Sequence, residues 1–229
     1  MQATSKSIFV KASEKIHWLI EQDIKNGVLL PGDSIDESSI ALKHKVSHTP
    51  IREALIKLQA QGLISSLPRG GMIVAKMSLQ QLLSLWELLA ELEGVAAKLA
   101  CQRMSTSELS ALKALHTKSA RIVQSEDVKD WQESNLLFHE IIYKATRNPY
   151  LRQEVLRLRT VTGYYRKHAF GALGQIKTSF EQHEEIINAI ESRDISQAFA
   201  AMNHHMLPAS NSTGLTNFII NIPQESLAA

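Results

Sequence analysis

Four residues carry the most suggestive chemistry in this chain: Asn135, His139, His183 and His205. Asn135 and His139 are four apart, so on a helix both side chains leave the same face. His183 and His205 fall on two further helical stretches, and side chains converging from separate helices are how bundles build metal sites. Imidazole nitrogen suits Zn, Ni, Cu or Fe, with positions left for water or a ligand carboxylate. Taken singly, any of the nine histidines is better explained as a surface or hydrogen-bonded core residue. His204-His205 illustrates this, since one of the pair should face solvent. A small metallohydrolase would need a general base as well. Glu133, Glu140 and Glu184 stand nearest in sequence, but none sits in a His-Glu-x-x-His motif. Neither a Gly-rich phosphate loop nor a nucleophile elbow is present.

A second group lies near the front. His48 and Arg52 are four apart, on a face turned away from the apolar stripe Ile51, Leu55 and Leu58. An arginine fork there can read guanine O6/N7 or clamp a phosphate. Lys43, Lys45, Thr49 and Arg69 would add phosphate contacts. Singly, each is an ordinary solvated polar side chain; as an ordered set they point to DNA.

The elements that must position these groups divide near residue 76. Ahead of it, Ile16, Leu19, Ile20 and Ile24 predict a helix over Lys11–Asn26, ended by Gly27. A short helix follows at about Asp36–His44, capped by Asp36 or Ser34, with Ile40 and Ala41 facing inward. A third runs from near Ser47 to Gly62, with Pro50 in its first turn, where a missing N–H costs little. Leu63–Ser66 and Met72–Val74 then read as two strands joined by Pro68-Arg69-Gly70-Gly71. Three helices and a hairpin give the winged helix-turn-helix order, whose third helix fits a major groove. Behind residue 77, long helical periodicity predicts an all-α bundle of about six helices, at 79–102, 106–124, 128–146, 148–167, 175–192 and 194–207. The fold class is thus mainly α: a winged helix-turn-helix domain (1–76), a helical domain (77–210) and a tail (211–229).

Composition agrees. The chain has 229 residues, 21% charged and 44% hydrophobic, with a formal charge of only +2. That excludes a histone-like basic protein, yet the first 76 residues hold ten Lys/Arg against seven Asp/Glu, so the basic surplus is local. A single cysteine, Cys101, forbids an intrachain disulfide and suits a reducing cytosol. No signal-like h-region or membrane-length apolar run occurs, because Glu87, Glu91 and Glu93 interrupt the richest stretch. A cytoplasmic location with no membrane partner is expected.

The run GVLLPGDSIDESSIALKHKVSHTPIREALIKLQAQGLISSLPRGGMIV resembles the N-terminal domain of the GntR family of bacterial transcriptional regulators. The resemblance rests on Leu30-Pro31-Gly32-Asp33, on Val46-Ser47-x-Thr49-Pro50-Ile51-Arg52-Glu53-Ala54-Leu55, on Gly62-Leu63 and on the Pro68…Gly71…Val74 wing. It implies DNA contacts at Lys43, Lys45, Ser47, His48, Thr49, Arg52, Arg69 and Gly70. His48 replaces the family's usual Arg, Lys45 its usual Gly, His44 an apolar residue, and Gly70 a second wing Arg. Residues 79–207 resemble the FadR-type (FCD) ligand-sensing domain, nearer its six-helix VanR-like branch, through Leu92-Glu93, Ala96-Ala97, Asn135-x3-His139, Asn148-Pro149, His183-x2-Ile186, Arg193-Asp194 and His205.

In the resembled domain an Asp-x3-His and two later histidines hold a divalent transition metal that binds a carboxylate-bearing effector. The implied ligands here are Asn135, His139, His183 and His205, with Zn or Ni as the metal. Asn135 removes one negative charge from that set. A basic residue common three before the Leu-Glu pair is Leu89 here. Arg152, Arg157, Arg159, Arg166, Tyr164 and Tyr165 are candidates to compensate, and Arg157 and Tyr165 are the expected effector contacts. The implied protein is a homodimeric regulator, usually a repressor, that binds a palindromic operator and responds to a small organic acid. The alternatives are a metal-free rear domain that only dimerises and, less favoured, the metallohydrolase.

Overall fold

The computed structural model describes residues 11–68, 70–166, 176–207 and 219–228. The chain forms two compact units: Met1–Met77 with Glu225–Ala229, and Ser78–Gln224.

In the first unit, α1 (Ala12–Asn26) buries Ile16, Ile20 and Ile24 at four-residue spacing. It stops at Gly27, whose φ of 73° places it in the left-handed region that favours glycine. Asp36 caps α2 (Glu37–His44) by accepting hydrogen bonds from the Ser38 and Ser39 amides. α2 buries none of its residues fully, and the expected inward pair Ile40 and Ala41 is only half-buried. The helix is only eight residues long, and both side chains keep one side in solvent. α3 (His48–Ala60) buries Ile51, Ala54, Leu55 and Leu58.

Between α2 and α3, Lys45 adopts φ 53°, which explains why glycine is usual there. A lysine in that conformation costs about 1 kcal/mol. The hairpin strands are β2 (Ile64–Ser66) and β3 (Met72–Val74). A strand the sequence does not announce, β1 (Ser34–Ile35), pairs antiparallel with β3, Ser34 opposite Ile73, giving the order β1-β3-β2. Two residues are too short for alternation to be read. The chain end returns to this unit: Lys76 Nζ donates to the Glu225 carbonyl at 2.7 Å, and the Ala228 amide to Met77 O at 2.9 Å. The turn Gln224–Ser226 is a 3-10 helix. The expected loop at 208–218 lies outside the described residues.

In the second unit the described helices are α4 (Leu79–Arg103), α5 (Thr106–Ser125), α6 (Val128–Ala145), α7 (Pro149–Val161), α8 (Ile176–Glu191) and α9 (Ile195–Met206). Their starts are written in the sequence. Ser78-x2-Gln81 and Ser105-x2-Glu108 form capping boxes, while Asp127, Asn148 and Asp194 cap α6, α7 and α9. The fourth rear helix ends at Val161 rather than near 167. The Thr162 hydroxyl bonds back to the Leu158 carbonyl at 2.8 Å, Gly163 follows, and a separate helical turn occupies 163–166. α4 is the spine. Leu82, Trp86, Leu89, Ala90, Glu93, Ala96, Ala97 and Ala100 form its buried stripe at helical spacing. α9 packs on it closely enough that a Cβ at Gly94 would lie 2.8 Å from the Phe199 ring. Trp86 Nε1 donates to the Met206 carbonyl at 2.7 Å. This packing fixes α4, α6 and α9 around one buried polar cluster.

Candidate metal centre and nucleic-acid interface

In the first unit, Lys43, Lys45, Ser47, His48, Thr49, Arg52 and Gly70 are all exposed; Arg69 lies outside the described residues. Arg52, 71% exposed along its side chain, donates through Nε to Glu37 Oε2 at 3.2 Å. His48 Nδ1 lies 3.5 Å from that same oxygen. Glu37 of α2 thus gathers both groups of the candidate DNA-reading face, a contact that sequence reading missed because the partners sit on different helices.

In the second unit, His139 on α6, His183 on α8 and His205 on α9 each offer a ligand nitrogen, and these atoms lie within 4.8 Å of one another. His139 Nδ1 is 3.2 Å from Glu93 Oε2, and its Nε2 is 3.3 Å from His205 Nε2. His205 Nδ1 in turn meets Gln182 Oε1 at 2.9 Å. The tautomers follow from these partners. A carboxylate and an amide oxygen only accept, so both Nδ1 atoms carry hydrogen and both Nε2 atoms present lone pairs. Two lone pairs facing each other at 3.3 Å repel unless a cation lies between them. Two zinc–nitrogen bonds of about 2.05 Å at a tetrahedral angle put their nitrogens about 3.3 Å apart. His183 Nε2 and Asn135 Oδ1 are buried without a hydrogen-bond partner among the described residues. The donor set therefore fits a divalent transition metal, with Asn135 following one helical turn before His139.

The surroundings hold the imidazoles neutral. Burial and the Arg159 charge push His139 down to about 4 despite Glu93, while burial and neighbouring charges lower His183 and His205 well below their ordinary value. The His183 ring stacks on Phe138, centroids 3.7 Å apart and 4° from parallel. Glu93 is fully buried and accepts from His139, Tyr143 and Arg159. Burial alone would raise its pKa, but the Arg159 guanidinium and the histidine hold it well below the usual carboxylate range. A carboxylate backing a ligand histidine fixes tautomer and orientation in metal sites.

Arg157 pairs with Glu154 on the partly exposed side of α7, Nε to Oε1 at 3.0 Å. Tyr165 is buried with its ring edge-on to Tyr164, centroids 5.5 Å apart. The arginine of α7 that reaches the cluster is Arg159, two residues on and about 200° further round the helix. Glu93 and Arg159 thus matter more than their sequence setting suggests. The signal was available for Glu93, an acid placed on the buried stripe of α4.

The FCD domain family matches residues 84–207, and the gntR family of bacterial regulatory proteins matches residues 12–74. The chain belongs to the GntR family of bacterial regulators. It is 24% identical over 200 residues to the HTH-type transcriptional repressor RspR of Escherichia coli K12, covering 87% of this chain and 88% of RspR. It is 28% identical over 198 residues to the E. coli K12 repressor GlaR, covering 83% and 90%. It is also 29% identical over 179 residues to the Nta operon transcriptional regulator of Aminobacter aminovorans, covering 77% and 82%. Among solved structures, E. coli McbR/YncC shares the fold with a TM-score of 0.75 at 20% identity, covering 93% of this chain and 99% of that one. The GntR-family chain is accordingly a DNA-binding transcriptional regulator with a ligand-sensing domain, not an enzyme. No described helix is long and apolar enough to cross a membrane.

Proposed function

We propose that this GntR-family regulator binds a palindromic operator as a cytoplasmic homodimer and acts as a metabolite-responsive repressor. The recognition groups are Arg52 and His48 on α3, with Lys43, Lys45, Ser47, Thr49, Arg69 and Gly70 contacting backbone and wing positions. A two-fold dimer presents α3 to two half-sites. In the sensing domain His139, His183, His205 and Asn135 hold a divalent metal, Zn or Ni, which offers open positions to the carboxylate of a small organic acid. Glu93 and Gln182 orient two of the imidazoles, and the apolar stack of Phe138 on His183 excludes water from one side.

The observation that carries this reading is the pair of opposed lone pairs on His139 and His205. They favour a metal-dependent sensor over a domain that only dimerises. Effector binding alters DNA affinity only as far as it favours one arrangement of the dimer over another. The test is a gel shift on the regulator's own upstream region, repeated after chelation and with zinc plus organic acids. Specific binding that responds to metal and acid supports the reading; specific binding indifferent to both leaves the domain as a dimerisation module.

A further inference from the structure

Beside the histidines lie two arginines whose guanidinium groups keep buried nitrogens without a partner among the described residues. Arg159 spends Nη1 on Glu93 and Tyr143, but its Nη2 is buried with no partner among the described residues. Arg159 is 7% exposed. Arg166, on the helical turn 163–166, also has a buried Nε without a partner. Glu93 is the carboxylate that pairs with Arg159, and Arg166 forms no ion pair among the described residues. Burial and the Arg159 charge accordingly lower Arg166 to about 9, so it stays protonated at neutral pH. Buried guanidinium N–H groups without acceptors are costly and sharply uncommon in folded proteins. A carboxylate is the group that satisfies such a fork.

The location of this charge decides what the ligand must look like. Glu93, whose other oxygen holds Arg159, meets His139 at Nδ1, whereas His205 meets it at Nε2. Glu93 with its Arg159 partner and the metal-facing nitrogens therefore sit at opposite ring nitrogens of His139. One carboxylate group is too short to reach around the ring to both. The residue three before Leu92-Glu93 is Leu89, fully buried and apolar, so that position of α4 supplies no cation.

The geometry points to a second anion subsite at Arg159 and Arg166, which makes the effector a dicarboxylate rather than a monocarboxylate. This rests on the metal-sensor reading for the first carboxylate, but the subsite itself is built from the arginines. One end of the acid goes to the metal position; the other accepts from Arg159 Nη2 and Arg166 Nε. Arg166 is then a specificity residue, and Arg159 serves both Glu93 and the ligand.

Titration calorimetry of the full-length, zinc-loaded protein tests this with malonate, succinate and glutarate against butyrate, beside zinc-induced melting shifts. At least one dicarboxylate should bind about tenfold or more tightly than butyrate. Arg166→Gln should abolish that preference while keeping the wild-type zinc shift, and Arg166→Lys should restore part of it. Equal binding of butyrate and every dicarboxylate, or a preference surviving in Arg166→Gln, overturns the subsite. The zinc arm reports separately. Absence of a wild-type zinc shift defeats the metal reading. A dicarboxylate preference in stripped protein that Arg166→Gln removes would still uphold the arginine subsite.

Discussion

His139 and His205, 66 residues apart in the chain, bring their Nε2 atoms to 3.3 Å, each with its other ring nitrogen committed to an acceptor. Four helices supply this arrangement and its backing, α8 through the Gln182 oxygen that meets His205 Nδ1. α6 carries His139, α9 carries His205, and α4 carries the Glu93 carboxylate that sets the His139 tautomer. The site is a property of bundle packing, not of any one segment.

Glu93→Gln separates that backing from the rest of the cluster. It keeps the shape but strands the Arg159 charge, which costs about 3–5 kcal/mol of stability for a buried pair. Loss of the backing carboxylate should also weaken zinc binding by about 10–100-fold. Denaturant melts and competitive zinc titration read the two effects independently.

Asn135→Asp replaces a neutral oxygen ligand with a charged one at a position whose Oδ1 is buried and unpartnered. Zinc affinity should rise by about tenfold, because ligand charge count tunes affinity at oxygen-donor positions. The same substitution should destabilise the metal-free protein, since it buries an unpaired carboxylate. Opposite signs with and without zinc, seen in melting temperatures, identify Asn135 as a ligand.

In the first unit, Arg52→Ala should cost about 1–3 kcal/mol of specific DNA binding and relax preference at one operator position. Glu37→Gln removes the acceptor that Arg52 and His48 share at 3.2 and 3.5 Å. It should tighten nonspecific binding, because it deletes a negative charge beside the phosphates, while blurring specificity. Gel shifts on operator and scrambled DNA at fixed salt measure both.

Glu108 provides a pH test remote from the metal centre. Its carboxylate takes Arg147 Nη1 and Nη2 at 2.7 and 2.8 Å and closes the α5 capping box. The Arg147 hydrogen bonds and the Ser105 amide hold it down at about 2, against an ordinary value of 4.5. The folded state thus releases this proton more readily than the unfolded one. Its stabilisation is complete above pH 4.5 and lost as pH falls toward 2. Glu108→Gln keeps the capping box but should flatten the dependence of stability on pH across that window and cost about 0.5 kcal/mol at neutral pH, the worth of a partly exposed ion pair.

Most of the fold was legible because its signals are local. Gly27 after a four-residue isoleucine repeat, Asp36 before α2, and the Ser-x2-Gln and Ser-x2-Glu boxes each mark a boundary within a few residues. Strand β1 was not legible, since two residues carry no period. Nor was the break at Thr162-Gly163, where a hydroxyl competes with the helix only once its carbonyl partner is in place. At the site, i, i+4 spacing and family pattern pointed to His139, His183, His205 and Asn135. Composition does not separate Arg157 from Arg159, because both are arginines on one helix. Facing is what separates them: one lies on Glu154 at the surface, the other on Glu93 in the core.

The most direct test of the metal-sensing account is the thermal melt of chelator-stripped protein with and without Zn²⁺. The control is the His139→Ala/His183→Ala double variant. A metal that binds only the folded state adds about 2.7 kcal/mol at a hundredfold excess over its dissociation constant. The account predicts a clear zinc-dependent rise in Tm that disappears in the double variant. An unchanged wild-type melt, or an equal rise in both proteins, would contradict it.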